Sequence, residues 1–165
     1  MTRVPDRWRS GDRVLLLRGF GHGLVGFVWR HAHLFSLAHD VSDGGVAVAL
    51  AECCTTSPTD VPDFGARVDL DGDLGAAPAE VAARLFGEHP PRVVLSVRPE
   101  HLADVTSRAE KAGVPARELG VTGGADLSIA LVGGPAAVFH MPLHVLRTAR
   151  EACLDGLEHG AAGPA

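Results

Sequence analysis

Six residues in a seven-residue stretch could do chemistry together: His39, Asp40, Ser42, Asp43, Gly44 and Gly45. They bring two carboxylates, an imidazole, a hydroxyl and two glycines to the front of a small apolar run, Val46 to Ala51. That order delivers a polar loop onto a helix N-terminus. The first N–H groups of a helix lack partners inside it and carry the positive end of its dipole, which suits a phosphate. Two carboxylates would repel a bare phosphate, yet Asp40 and Asp43 suit one that arrives with Mg²⁺. Gly44 and Gly45 let backbone N–H groups approach closely. The same residue types also make a capped tight turn, with Asp40 and Asp43 bonded to local backbone. Residue types alone leave both readings open.

Two other constellations are weaker. Gly21-His22-Gly23-Leu24-Val25-Gly26 matches G-x-G-x-x-G after a strand. A dinucleotide fold needs a clean helix next, and Phe27-Val28-Trp29 is a poor start for one, so a flexible turn is the preferred reading. His31, His33 and His39 with Cys53 and Cys54 fit no common zinc spacing. Adjacent cysteines on a helix point in different directions. Surface histidines and two small buried thiols are the preferred reading there.

The elements that must position the loop follow from the pattern. Arg13 to Leu17 reads as a buried strand after a Gly11-Asp12 turn, and Gly19 to His33 as a loop followed by an uncertain strand or helix. Ser42 or Asp43 can cap a helix over Gly44 to Cys54. Arg67 to Leu70 suits a strand, followed by a turn at Asp71-Gly72-Asp73. Pro78 opens a helix through Phe86, and Arg92 to Val97 is a strong strand. Pro99-Glu100 starts a helix that buries Leu102, Val105 and Ala109 and stops at Gly113. Leu119 to Thr122 is a strand. Leu127 to Val132 and Ala137 to Met141 flank a hairpin-like turn at Gly133-Gly134-Pro135, and Pro142 to Leu157 is the last helix. The hairpin interrupts the strand–helix alternation. This favours an α+β domain, a mixed β-sheet with packed helices, over a doubly wound one.

The composition sets limits. The chain has 165 residues, 46% hydrophobic and 21% charged, enough for one folded domain with its own core. Aromatics are 5% and Tyr is absent, so Ala, Val and Leu must build that core. A net charge of -5 without a basic run argues against a nucleic-acid partner. No apolar run reaches the length of a membrane span, and no signal peptide opens the chain. Three cysteines without C-x-x-C spacing point to a reduced, cytoplasmic protein.

The His39-Asp40-Val41-Ser42-Asp43-Gly44-Gly45 loop and the helix after it resemble the C-terminal domain of the phosphoribosylformylglycinamidine synthase family. That family belongs to the superfamily of aminoimidazole ribonucleotide synthetase, selenophosphate synthetase and thiamine-monophosphate kinase. Further likeness follows in order: Leu85-Phe86-Gly87-Glu88, the strand Arg92 to Val97, the passage Glu110 to Gly120 and the turn Thr122-Gly123-Gly124. Upstream, Asp6 to Asp12 and Leu15-Leu16-Leu17 resemble the domain's entry strand.

The resemblance implies a purine-biosynthesis ligase of the cytoplasm. It turns a formyl amide into an amidine with ATP, Mg²⁺ and ammonia from glutamine, ATP activating the amide oxygen as a phosphate ester that ammonia displaces. It implies a single C-terminal-type domain over residues 1–158, a flexible tail over 159–165, and a shortened passage around 19–35. It also implies partners: the remaining synthetase domains on another chain, and a glutaminase subunit. His39, Asp40, Ser42, Asp43, Gly44 and Gly45 become nucleotide-binding residues, with Asp40 and Asp43 at Mg²⁺. No catalytic residue is assigned, because the loop can line an auxiliary nucleotide site. The isolated chain is expected to be inactive. The alternative is a non-catalytic nucleotide-binding or interaction module, or a degenerate remnant of the synthase. The shortened passage would expose apolar surface, giving a marginal or self-associating domain.

Overall fold

The apolar runs form the centre of one mixed sheet in a computed structural model that describes residues 7–19, 22–55, 62–71, 78–87, 90–131 and 137–159. Strand β1 (Arg13–Arg18) carries four consecutive apolar residues and is buried on both faces. It pairs antiparallel with Arg92–Val97 on one side and Ala116–Thr122 on the other. In chain order the further strands are β2 (Phe35–Val41), β3 (Ala66–Leu70), β4 (Arg92–Val97), β5 (Ala116–Thr122), β6 (Asp126–Leu131) and β7 (Ala137–Pro142). Among the described residues they lie in the order β2-β4-β1-β5-β3-β6-β7. The β3–β6 pair is parallel and the other neighbours are antiparallel. This is the mixed α+β sheet that the interrupted alternation predicts.

Side chains alternate across each strand, so the sheet separates two cores. On one face, Val14, Leu16, Leu37, Val94, Leu119 and Val68 pack with α2 (Gly45–Thr55), α3 (Pro78–Phe86) and α5 (Leu143–His159). On the other, Leu15, Leu17, Leu95 and Val97 pack with α1 (His22–His31) and α4 (Pro99–Lys111). The cores are built of Ala, Val and Leu with few aromatics, as the composition requires. Strands β3 and β6 alternate instead of being buried throughout. Ala66, Val68, Leu127 and Ile129 face the first core, while Arg67 and Asp69 are exposed.

Helix boundaries follow from local chemistry. Proline opens both α3 and α4, where its missing N–H costs nothing, and an acidic residue follows in each first turn. Helix α4 ends as predicted at Gly113, whose φ of +66° suits glycine. The Val114 N–H donates to the Ala109 carbonyl (2.9 Å) and the Gly113 N–H to the Glu110 carbonyl (3.0 Å). That bonding pattern is a Schellman motif, and buried Val114 completes it by packing into the same core as Val105 and Ala109. The expected third residue of that face, Leu102, is only partly buried.

Two elements differ from the expected ones, and His31, expected at the surface, is buried. The passage expected as loop and uncertain element is helix α1 followed by a turn of 3₁₀ helix at Ala32–Leu34. Leu24, Phe27 and His31 share one buried face at helical spacing, and the Phe27 ring lies 4.6 Å from that of His31. Tertiary burial of that face outweighs the weak helix propensity of Phe27-Val28-Trp29. Gly23 and Gly26 sit inside this helix, so the glycine pattern is no phosphate loop. Phe27 is buried in the second core and Leu34 packs partly against it, while Trp29 is 59% exposed. The second difference is strand β2. His39 and Asp40, read as loop, are paired with Val94 and Val93 of β4. The turns at Gly72-Asp73 and Gly133-Gly134-Pro135 and the tail 160–165 lie outside the described residues. No helix among the described residues is long and apolar enough to cross a membrane.

Cys53 and Cys54, near the end of α2, are both buried in the first core. Burial pushes both thiols well above their ordinary range, with neighbouring acidic groups adding to the effect. Above about pH 8.5 the unfolded chain therefore loses thiol protons that the folded chain keeps, so stability falls as pH rises. Each such thiol contributes up to about 1.4 kcal/mol per pH unit. The chain has no Tyr and one Lys, so few other groups titrate there. Urea unfolding should show a lower midpoint at about pH 9.5 than at about pH 7.5. Replacing both cysteines with Ala should flatten that dependence.

Candidate functional site

The polar stretch sits where edge strand β2 hands over to helix α2. Strand pairing carries the backbone through Val41, Ser42 and Asp43 form an exposed turn, and the Gly45 N–H donates to the Ser42 carbonyl (3.1 Å). Gly44 and Gly45 both have positive φ, +80° and +71°. Helix α2 then begins at Gly45, so neither Ser42 nor Asp43 is the residue immediately before it.

Gly45 has a second reason to lack a side chain. A Cβ there would stand 2.7 Å from the Leu85 carbonyl oxygen and 2.8 Å from the Phe86 Cα. The start of α2 thus rests directly on the end of α3. The close approach expected at this glycine is to protein backbone.

His39 stands between the strand and the helix. Its Nδ1–H donates to the Asp40 carbonyl (2.8 Å), and its Nε2 lies 3.4 Å from a carboxylate oxygen of Glu52 on α2. The Asp40 carboxylate is 78% exposed, 3.8 Å from the same imidazole. Asp43 is exposed in the turn. The six sequence-selected residues therefore fall into three groups: His39, beside Glu52; the exposed Asp40, Ser42 and Asp43; and two glycines that shape the entry to α2. Among the described residues, no three His, Cys, Asp or Glu side chains converge as a metal site would require. Two carboxylates are nevertheless the oxygen donors that Mg²⁺ takes from a protein when phosphate and water fill its other positions.

A second site escaped the sequence reading. A cleft of about 330 Å³ opens beside the first turn of α2, where Val46 forms part of its wall. Arg18, Arg84, Arg92 and Arg117 line it with Asp71. These arginines are spread over about a hundred residues and form no run, so a search for basic stretches passes over them. Arg18 and Arg92 stand at the ends of apolar strand runs, Arg117 is the second residue of β5, and only the strand register brings the three together.

A family model, AIR synthase related protein, C-terminal domain, matches residues 24–132, more than half of the chain. The chain belongs to this family. Phosphoribosylformylglycinamidine synthase subunit PurL of Thermobifida fusca is 44% identical over 98 residues, covering 59% of this chain and 11% of the relative. The PurL subunit of Bradyrhizobium sp. (strain BTAi1) is 39% identical over 134 residues, covering 80% of this chain and 16% of the relative. The chain thus spans a small part of the length of the curated relatives it matches. A solved structure of T. maritima PurL complexed with ATP superposes with a TM-score of 0.69 at 18% identity, covering 87% of this chain and 27% of that one. Thiamine-monophosphate kinase from Stenotrophomonas maltophilia gives 0.56 at 16% identity, covering 79% of this chain and 53% of that one. These likenesses show that the fold is that of the AIR-synthase-related C-terminal domain.

Gly45 and Gly113 offer a paired test of the α2–α3 contact. Alanine at either must adopt a left-handed backbone, costing about 1–2 kcal/mol. Nothing lies within 4 Å of a Cβ at Gly113, whereas at Gly45 it meets the α3 backbone. Gly45→Ala should therefore lose clearly more stability in urea unfolding than Gly113→Ala. Equal losses would show that α3 gives way freely.

Proposed function

We propose that this domain serves a formylglycinamidine ribonucleotide synthase, an ATP-dependent ligase of purine biosynthesis, as its C-terminal-type domain. The 44% identity to a PurL subunit carries this reading. Structural neighbours include T. maritima PurL complexed with ATP, ADP and FGAR, and a PurLQS structure from the same organism. The remaining synthetase domains and a glutaminase subunit would be its partners, in the cytoplasm. A domain that supplies one wall of a cleft cannot close it alone, so the isolated chain would be inactive.

In this reading the His39–Gly45 stretch faces a nucleotide. Asp40 and Asp43 would hold Mg²⁺, which supplies positive charge to the phosphates. His39 would stay beside Glu52 and, bonded to the Asp40 carbonyl, help fix the strand end. The exposed turn of Ser42 and Asp43 ahead of α2 supports this reading, because it leaves both carboxylates open to solvent and to a ligand.

Calorimetric titration with ATP or ADP tests the loop. Binding should require Mg²⁺ and weaken at least about tenfold in Asp43→Asn while the fold survives. Metal-independent binding, or binding indifferent to Asp43→Asn, would count against this role. For the domain as a whole, amidine formation should be undetectable with the purified chain and should appear when the other synthetase domains and ammonia are supplied. Turnover by the chain alone would overturn the claim of inactivity. No response to the added domains would favour a non-catalytic nucleotide-binding module.

A further inference from the structure

The arginine cleft is built by the strand register. Arg18 and Arg92 are direct cross-strand partners of β1 and β4, and Leu16 is the partner of Arg117 on β5. Arg18 is two residues from Leu16, Arg92 two from Val94, and Arg117 two from Leu119, and all three of those apolar residues lie in the first core. With side chains repeating every second residue, the three arginines share that face and continue its apolar columns. Neighbouring strands are about 4.8 Å apart, so the guanidinium groups form a row at the sheet's end. Arg84 reaches the same cleft from α3.

Like charges placed directly opposite each other destabilise a sheet. Here four guanidinium groups meet one carboxylate, Asp71, among the described lining residues. Asp71 pairs with Arg117 and lies 3.7 Å from Arg18. Arg84 donates instead to the Asp71 backbone carbonyl (3.1 Å). Arg92 donates through Nη2 to the Gly87 carbonyl (3.2 Å), while its Nε–H is buried and unpartnered. Burial, and then the Arg18 guanidinium, lower the pKa of Arg92. The floor is apolar, formed by Leu16, Leu70 and Leu119.

We propose that this cleft binds the phosphate group of a small phosphomonoester, held by Arg18, Arg92 and Arg117, with the organic body against the leucine floor. Among the described lining residues four guanidinium groups face one carboxylate, a balance that a phosphate dianion complements, and planar guanidinium forks match its oxygens. The positive end of the α2 dipole at Val46 acts in the same sense. A cleft of about 330 Å³ holds a ligand of sugar-phosphate size. The proposal rests on the cleft and is independent of the role of the His39–Gly45 loop. Arginines hold the phosphate, so no divalent metal is needed.

The test is calorimetric titration of the purified chain with ribose 5-phosphate and with inorganic phosphate, both in EDTA. Ribose 5-phosphate should bind without metal and more tightly than inorganic phosphate. Arg18→Gln and Arg117→Gln should each weaken it at least about tenfold. Arg18→Gln removes both the like-charge pair with Arg92 and the exposed contact with Asp71, so the ligand-free melting temperature should change little, and the upward shift caused by the ligand should be abolished. No metal-free binding to the wild type at millimolar ligand, or binding unaffected by both substitutions, would overturn the site. Equal affinity for the two probes would overturn its assignment to an organic phosphate. Because EDTA suppresses any Mg²⁺-dependent binding at the loop, failure of one site is separable from failure of the other.

Discussion

Strand β1 has no face turned to water between Val14 and Leu17, and the rest of the domain is arranged around that fact. Alternation sends Val14 and Leu16 into one core and Leu15 and Leu17 into the other. Each core needs its own helices, so α2, α3 and α5 cover one face and α1 and α4 the other. The β1 ladder with β4 and β5 leaves few of its polar groups for water. Its entry is fixed by buried Asp12, whose carboxylate accepts from the Arg9 N–H (3.3 Å) and from the Ser96 hydroxyl of β4 (3.5 Å). Where the apolar run ends, at Arg18, the sheet meets solvent, and there the charged residues of three strands collect.

The glycines of the polar stretch act on this arrangement from the side. Gly45 lets the first turn of α2 touch the last turn of α3, the helix that also carries Arg84 of the arginine cleft. A sequence motif that reads as a ligand loop is therefore also a packing device. The two roles are compatible: Gly45 shapes the approach of two helices, while Asp40 and Asp43 are exposed.

The half of the sheet carrying β3 and β6 is different. Arg67 and Asp69 alternate outward against inward Ala66, Val68 and Leu70, so one face of this half is polar. Such alternation is expected of sheet covered by a core on one side only. It contrasts with β1 and β4, whose nearly continuous apolar runs need cover on both sides.

Much of this was legible in the chain. Arg92 to Val97 and Pro78 to Phe86 have the bounds expected of them, because a continuous apolar run and a proline-led amphipathic segment are local signals. The Schellman stop at Gly113 is local too. Helix α1 was not legible, since burial of Leu24 and Phe27 against β1 and α4 decides it rather than propensity. Strand β2 was hidden for the same reason: His39 and Asp40 are extended because β4 supplies their hydrogen-bond partners, and nothing nearby in sequence announces that. The chain by itself determined the family motif, the Ala–Val–Leu core and most element ends, all of which depend on neighbours within a few residues. Only the tertiary structure decided that Gly45 rests on α3 and that Arg18, Arg84, Arg92 and Arg117 share one cleft. Those outcomes depend on strand register and helix contact between distant segments, and electrostatic convergence of that kind leaves no periodic trace in the sequence.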